Sequence, residues 1–289
     1  MNLIKLKARA KVNLSLDVLA KRPDGYHDIK TIMQTIELHD RVFIEEAKSG
    51  IEVLCKNRWV PTDGRNIAYK AAEKLKLHFG IDKGVKIRIE KNIPVSAGLA
   101  GGSSDAAAVL KGMNSLFELN LKENELMEIG KTIGADVPFC IKGGTMLAEG
   151  IGEILTPLKP LPVTHMVLIK PKIGISTAWV YGNLNVKNLT NRPDTNIIIK
   201  YIESGNINCL AKDMRNVLET VTCSKYGVIG EIKQKLINLG ALGSMMSGSG
   251  PTVFGIFSDE ISAKKAYEAM ECDRWERFVT STVSFDSVG

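Results

Sequence analysis

Residues Pro94 to Leu110 read PVSAGLAGGSSDAAAVL, and the fold turns on this stretch. Val85-Lys86-Ile87-Arg88-Ile89 precedes it and alternates apolar with basic, which predicts a strand. An alanine-rich run, Ala106 to Leu119, follows with Val109, Leu110, Met113 and Leu116 at helical spacing. Between them, Gly98, Gly101 and Gly102 supply conformational freedom and bare backbone, and Ser103, Ser104 and Asp105 suit a helix start. A strand, a glycine-rich turn and a helix N-terminus together form an anion site, because amide hydrogens converge there and the helix dipole adds partial positive charge. The stretch reads as a phosphate cradle; the plainer reading is a flexible turn before a capped helix. It is not a Walker loop, since no Lys follows its glycines. Gly130-Lys131-Thr132 is a decoy with Glu125 where that motif needs Gly, and its segment reads as helix interior. The dinucleotide pattern G-x-G-x-x-G is also unmatched in the stretch.

The chain has 289 residues, enough for one large domain or two closely packed ones, and 44% hydrophobic against 24% charged residues supports a substantial core. Its net charge of +6 is scattered: it favours anionic substrates such as nucleotides but lacks the Lys/Arg block of a nucleic-acid tail. No apolar run is long enough to span a bilayer, and MNLIKLKARAKVN lacks a signal-peptide core. Cys55, Cys140, Cys209, Cys223 and Cys272 are widely spaced with no C-x-x-C pair, which predicts reduced thiols and a cytoplasmic protein. The four histidines are isolated from one another, against a His-built zinc site.

Ile4, Leu6, Ala8, Ala10, Val12, Leu14 and Leu16 alternate as the core face of a strand, with Lys5, Lys7, Arg9, Lys11, Asn13 and Ser15 opposite. Most of these cations read as a solvated face; Lys11 and Asn13 lie deeper, and an inward Lys11 requires an anionic partner. Lys21 to His27, KRPDGYH, is a turn that presents Tyr26 and His27 either to local packing or to a planar ligand. Strands are expected at Ile29–Leu38 and Arg41–Glu46, broken at His39-Asp40, then at Ile51–Cys55, with Asn66 capping a helix that runs to Phe79. Asp136, two residues before Pro138, is either an N-cap or a carboxylate beside the phosphate site. TPLKPLPV, Thr156 to Val163, joins two halves, so the expected domains are 1–157 and 158–289. Thr177 to Tyr181 opens a helix, Asn183 to Asn208 reads as irregular, and helices follow near Asp213–Val221, Gly227–Leu239 and Ile261–Cys272. A small-residue turn, Ser247 to Pro251, feeds an apolar strand, and Phe278–Phe285 is a final strand.

The near-N-terminal strand, PxxxGLxGGSSDAA and SGSGPTVFG, in that order, resemble the small-molecule kinase superfamily named for galactokinase, homoserine kinase, mevalonate kinase and phosphomevalonate kinase. Ala10-Lys11-Val12-Asn13-Leu14 with Arg22-Pro23-Asp24-Gly25-Tyr26-His27, and Ile133 to Pro138, resemble its branch that phosphorylates a cytidine-diphosphate-linked polyol on the non-mevalonate route to isoprenoid precursors. The resemblance covers nearly the whole chain and is weakest across Asn183 to Asn208.

The resemblance implies a two-domain α+β fold, with a ribosomal-protein-like N-terminal domain and a ferredoxin-like C-terminal domain. It implies an ATP-dependent phosphotransferase with an alcohol acceptor. Lys11 and Asp136 match the catalytic pair. Pro94, Val95, Ser96, Ala97, Gly98, Leu99, Ala100, Gly101, Gly102, Ser103 and Ser104 match the ATP phosphate loop, and Asn66 the adenine side. Asn13, Tyr26, His27 and Tyr181 match substrate contacts, the last three around cytosine. Magnesium accompanies ATP through phosphate oxygens and Ser103 or Ser104, with no dedicated protein metal site. A methyl at Ala100, where the family commonly has glycine, is accommodated only if its φ stays negative. The rival readings are a homoserine- or mevalonate-type kinase, which lacks the RPDGYH turn, and, from another class, an RNA-binding module. Scattered charge and 6% aromatic residues weigh against the latter, so a small-molecule substrate with no nucleic-acid or membrane partner is expected.

Overall fold

The computed structural model describes residues 3–283. The alternating N-terminal segment forms β1 (Ile4–Lys21), whose two faces are both buried from Ala10 to Val18. Next comes β2 (His27–Ala47), unbroken where the sequence suggests an interruption at His39-Asp40. Asp40 is buried inside the strand because its Oδ1 accepts from the backbone N–H groups of Asn92 (2.6 Å) and Ile93 (2.8 Å). β3 (Ile51–Cys55), α1 (Ile67–Phe79) and β4 (Gly84–Glu90) follow, then α2 (Gly101–Leu116), α3 (Glu123–Lys131) and α4 (Val137–Lys142). The helix after the glycine-rich turn therefore begins at Gly101, ahead of the expected Ser103–Asp105 start.

The remaining elements are β5 (Thr145–Glu149), β6 (Ile154–Pro157), β7 (His165–Pro171), α5 (Thr177–Gly182), α6 (Thr195–Ser204) and α7 (Ile207–Asp213). α8 (Glu219–Lys225), α9 (Gly227–Asn238), β8 (Gly243–Met246), β9 (Val253–Phe257), α10 (Glu260–Ala269) and β10 (Trp275–Ser281) complete them. The stretch expected to be irregular, Asn183 to Asn208, instead holds a 3₁₀ turn at Val186–Asn188, α6 and the start of α7. Its many Asx residues act as caps: Asp194 accepts from Asn196 and Ile197 N–H, and Asn206 from Cys209 N–H, while Ile198 and Ile202 bury one face of α6. The helix expected over Asp213–Val221 is interrupted, because Asn216 bridges to Leu16 of β1 and α8 starts after it. The final strand starts at Trp275; residues 284 and 285 of the expected span lie outside the described residues.

Packing divides the described chain into two units, neither of them continuous in sequence: 3–10, 38–95 and 100–142 in one, and 11–37, 96–99 and 143–283 in the other. In the first, β2 pairs antiparallel with β4 from Arg41 opposite Glu90 to Ala47 opposite Gly84, and β3 runs parallel to β4. Val42, Ile44 and Ile87 bury there with Leu75 of α1 and Val109, Leu110 and Met113 of α2. The alanines 106–108 keep α2 slim on its buried side, so the helix lies close to α1. In the second unit, Thr31–Gln34 of β2 pair antiparallel with β5, which pairs with β6. A separate antiparallel sheet has the order β10-β7-β9-β8. Its core joins Val167, Ile169, Val253 and Phe257 to Ile229, Ile232 and Leu236 of α9.

Candidate active site

The glycine-rich segment is held by backbone geometry. Ser96, Gly98 and Ala100 have φ of 53°, 75° and 57°, three left-handed residues at alternate positions. Ala100 thus contradicts the expectation of a negative φ. It is the N-cap residue of α2, its carbonyl accepts from Ser104 N–H at 2.8 Å, and the helix start fixes its conformation despite a cost of about 1–2 kcal/mol for a left-handed L-residue. No side chain caps α2, so its first N–H groups are left to other partners, and Gly102 beside them is exposed. A helix start without a side-chain cap presents backbone N–H groups of the kind that bind anions. The Gly130-Lys131-Thr132 decoy lies at the end of α3, inside helical structure up to Lys131.

Residues 96–99 pack in the second unit, against the C-terminal small-residue turn. Ser247 Oγ donates to Gly98 carbonyl O at 2.9 Å, Thr252 N–H to Ala97 O at 3.4 Å, and Lys11 N–H to Leu99 O at 3.1 Å. Asn216 props that turn by donating to the carbonyls of Met246 and Gly248, both at 2.8 Å. A Cβ on Gly98 would sit 2.3 Å from the Ser247 carbonyl oxygen. Gly98→Ala is therefore expected to cost about 1–3 kcal/mol in stability. Ala100→Gly, which relieves the left-handed strain but adds roughly 0.4–1 kcal/mol of unfolded-state entropy, should lie between neutral and slightly stabilising. Denaturant midpoints of the two variants check this; equal destabilisation by both would contradict it.

Lys11 is 4% exposed, and its Nζ donates to Asn13 Oδ1 at 2.9 Å. The network continues inward: Asn13 Nδ2 donates to Thr31 Oγ1 (2.8 Å), whose hydroxyl donates to the Ser15 carbonyl, while Ser15 Oγ accepts from Ile32 N–H. Asn13, Thr31 and Ser15 are buried, so the face read as solvated is a satisfied polar seam over its inner half. A Cβ on Gly248 would lie 3.3 Å from the Gly98 carbonyl oxygen and 3.6 Å from Asn13 Oδ1. Thr31, Ser15 and Asn216 are the members that the sequence does not single out. Asp136 is partly exposed and directly precedes α4, its carbonyl accepting from Cys140 N–H.

The entry to the glycine-rich segment carries a second buried cluster, in the first unit. Lys91 Nζ contacts Asp40 Oδ2 and lies 2.8 Å from Asp105 Oδ2, all three side chains being 5% exposed or less. Burial lowers the Lys91 pKa most, but the two carboxylates together outweigh it and leave the pKa raised. Burial, opposed by Lys91 and reinforced by Asp40, pushes Asp105 up to about 8, and its Oδ1 has no hydrogen-bond partner. The cluster fastens the end of β4 to the first turns of α2, so both ends of the segment are anchored to one cation. Asn66 is occupied nearby in sequence as the α1 cap: its Oδ1 accepts from Ala68 N–H and its Nδ2 donates to Pro61 O.

His27 and Tyr181 are brought together, with ring centroids 5.1 Å apart. Both line a cavity of about 670 Å³ with Leu19, Lys21, Asn183 and Lys187. Burial and nearby Lys21 lower the His27 pKa, so the ring is neutral at pH 7 and offers one donor and one acceptor. Tyr26 is 60% exposed and does not line this cavity. Among the described residues, no three His, Cys, Asp or Glu side chains cluster as a metal site.

Two family profiles match this chain: GHMP kinases N terminal domain over residues 66–144 and GHMP kinases C terminal over residues 198–277. A 4-diphosphocytidyl-2-C-methyl-D-erythritol kinase of Acetivibrio thermocellus is 60% identical over 98% of this chain and 100% of its own length. A crystal structure of 4-(cytidine 5'-diphospho)-2C-methyl-D-erythritol kinase superposes with a TM-score of 0.84 at 32% identity, covering 96% of this chain and 99% of that one. Homoserine kinase from Cytophaga hutchinsonii shares the fold, with a TM-score of 0.78 at 18% identity over 98% of this chain and 95% of that one. The chain belongs to the GHMP kinase family, a two-domain α+β kinase fold, and within it to the group named 4-diphosphocytidyl-2-C-methyl-D-erythritol kinase.

Proposed function

We propose that this protein transfers the γ-phosphoryl group of ATP to the 2-hydroxyl of 4-diphosphocytidyl-2-C-methyl-D-erythritol, a step toward isoprenoid precursors outside the mevalonate route. The observation that carries the reading is the 60% identity, over the whole length of both chains, to a kinase of that name. Residues Pro94 to Ser104, ending on the uncapped start of α2, hold the nucleotide phosphates, and Asn66 lies toward the adenine. Ser103 or Ser104 would help hold a magnesium ion bound with the nucleotide, and that ion would supply neutralising charge to the phosphates.

Phosphoryl transfer asks the protein for alignment and charge stabilisation. Asp136 accepts the proton of the attacking tertiary hydroxyl. Lys11, oriented by Asn13 and Thr31, supplies positive charge to the reacting groups. Neutral His27 reads the cytosine edge and Tyr181 stacks on the base; Tyr26, exposed on its turn, closes over the ligand from outside. The domains 1–157 and 158–289, of ribosomal-protein-like and ferredoxin-like build, carry nucleotide chemistry and substrate completion respectively, in a cytoplasmic enzyme.

The test is ADP release with ATP and magnesium across a panel of acceptors. Turnover is expected with the cytidylyl polyol and not with homoserine or mevalonate; preference for either of the latter would reassign the acceptor within the family.

A further inference from the structure

The cavity lined by His27 and Tyr181 has two walls from distant parts of the chain. One is the end of β1, Leu19 to Lys21; the other is residues 181–187, the end of α5 and the following turn. One guanidinium holds them in place. Arg192 Nη1 donates to Asp17 Oδ2 at 3.2 Å, and Nη2 donates to the carbonyl oxygens of Val18 (3.1 Å) and Val186 (3.4 Å). Asp17 and Val18 immediately precede the first wall in β1, and Val186 belongs to the second. Asp17 Oδ1 accepts from Val18 N–H, which fixes the carboxylate toward Arg192. Asp17 is buried, and a charge there needs the partner it has. Leu184, Val186 and Leu189 seat the same segment on the apolar core.

We propose that Arg192 and Asp17 are positioning residues for the cytidine-diphosphate end of the acceptor, fixing the spacing between the two cavity walls. This rests on the function proposed above. A planar fork bonding three oxygens at once sets a geometry that an ammonium does not reproduce. With the walls set before binding, the ligand does not have to order them itself, so the effect falls on acceptor affinity rather than on the phosphoryl step.

Steady-state kinetics of Arg192→Ala, Arg192→Lys and Asp17→Asn, with calorimetric titration of cytidine 5'-diphosphate, test this. Arg192→Ala should raise the acceptor KM, and weaken cytidine 5'-diphosphate binding, about tenfold, leaving the KM for ATP within about twofold and kcat little changed. Arg192→Lys should fall between parent and alanine, and Asp17→Asn should add little in the Arg192→Ala background. An unchanged acceptor KM, or an equal rise in both KM values with a lowered Tm, overturns the proposal; if Arg192→Ala does not fold, Arg192→Lys decides on the same terms. Failure of the parent enzyme to phosphorylate the cytidylyl polyol is a different outcome, which removes the functional reading itself.

Discussion

Asp136→Asn is expected to bind ATP and the cytidylyl acceptor with near-parent affinity and to lose about 10²–10⁴ in kcat. The substitution keeps size and hydrogen-bonding capacity but removes the carboxylate proposed to take the hydroxyl proton. Asp136 precedes α4 and is partly exposed, so losing its charge should leave the fold in place. Single-turnover measurements with both ligands saturating separate the chemical step from binding. Near-parent turnover of the Asn variant would remove Asp136 from the chemistry. A raised KM with intact kcat would recast it as a binding residue.

The second large effect is on stability. Lys91→Met takes away the cation held by two buried side chains, Asp40 and Asp105, and leaves the Asp40 carboxylate without its counter-charge in a dry site. Breaking a buried pair from one side typically costs about 3–5 kcal/mol, a drop of roughly 10 °C in Tm for a chain of this size. Asp105→Asn should be far milder, since an amide oxygen still accepts from Lys91. The pH dependence gives an independent check. Asp105 rises from 3.8 to about 8 on folding, so between those values the folded state holds more protons than the unfolded. Its contribution is present at low pH and is lost as pH rises through about 8. That slope should flatten in Asp105→Asn. A Lys91→Met protein within 1 kcal/mol of the parent, as judged against the roughly 3–5 expected, would sink the account.

Much of this was legible in the sequence because local rules governed it. The alternation of Ile4 to Leu16, the Asn66 cap and the glycine-rich segment before α2 each follow from a few neighbouring residues. What the sequence hides is long-range or conformational. Residue type does not give the sign of φ at Ala100, which the helix start decides. Asp40 looks like a strand breaker until Asn92 and Ile93, more than fifty positions on, supply its partners. Arg192 and Asp17 lie 175 residues apart and meet through tertiary packing alone. The Asn-rich tail of α5 through α7 did carry its signal, since Asp194 and Asn206 are ordinary caps; abundance of Asn suggested loop where position specified helix.

The interleaved division of the chain has an engineering corollary. The polypeptide switches from one packing unit to the other five times, after Ala10, Glu37, Val95, Leu99 and Lys142. Two of those switches fall within the single uninterrupted strands β1 and β2. Chimeras that graft foreign sequence onto this protein at one junction will therefore import a mismatched set of neighbours on both sides of the seam. Gene shuffling within the family should tolerate exchange of surface turns far better than exchange of halves.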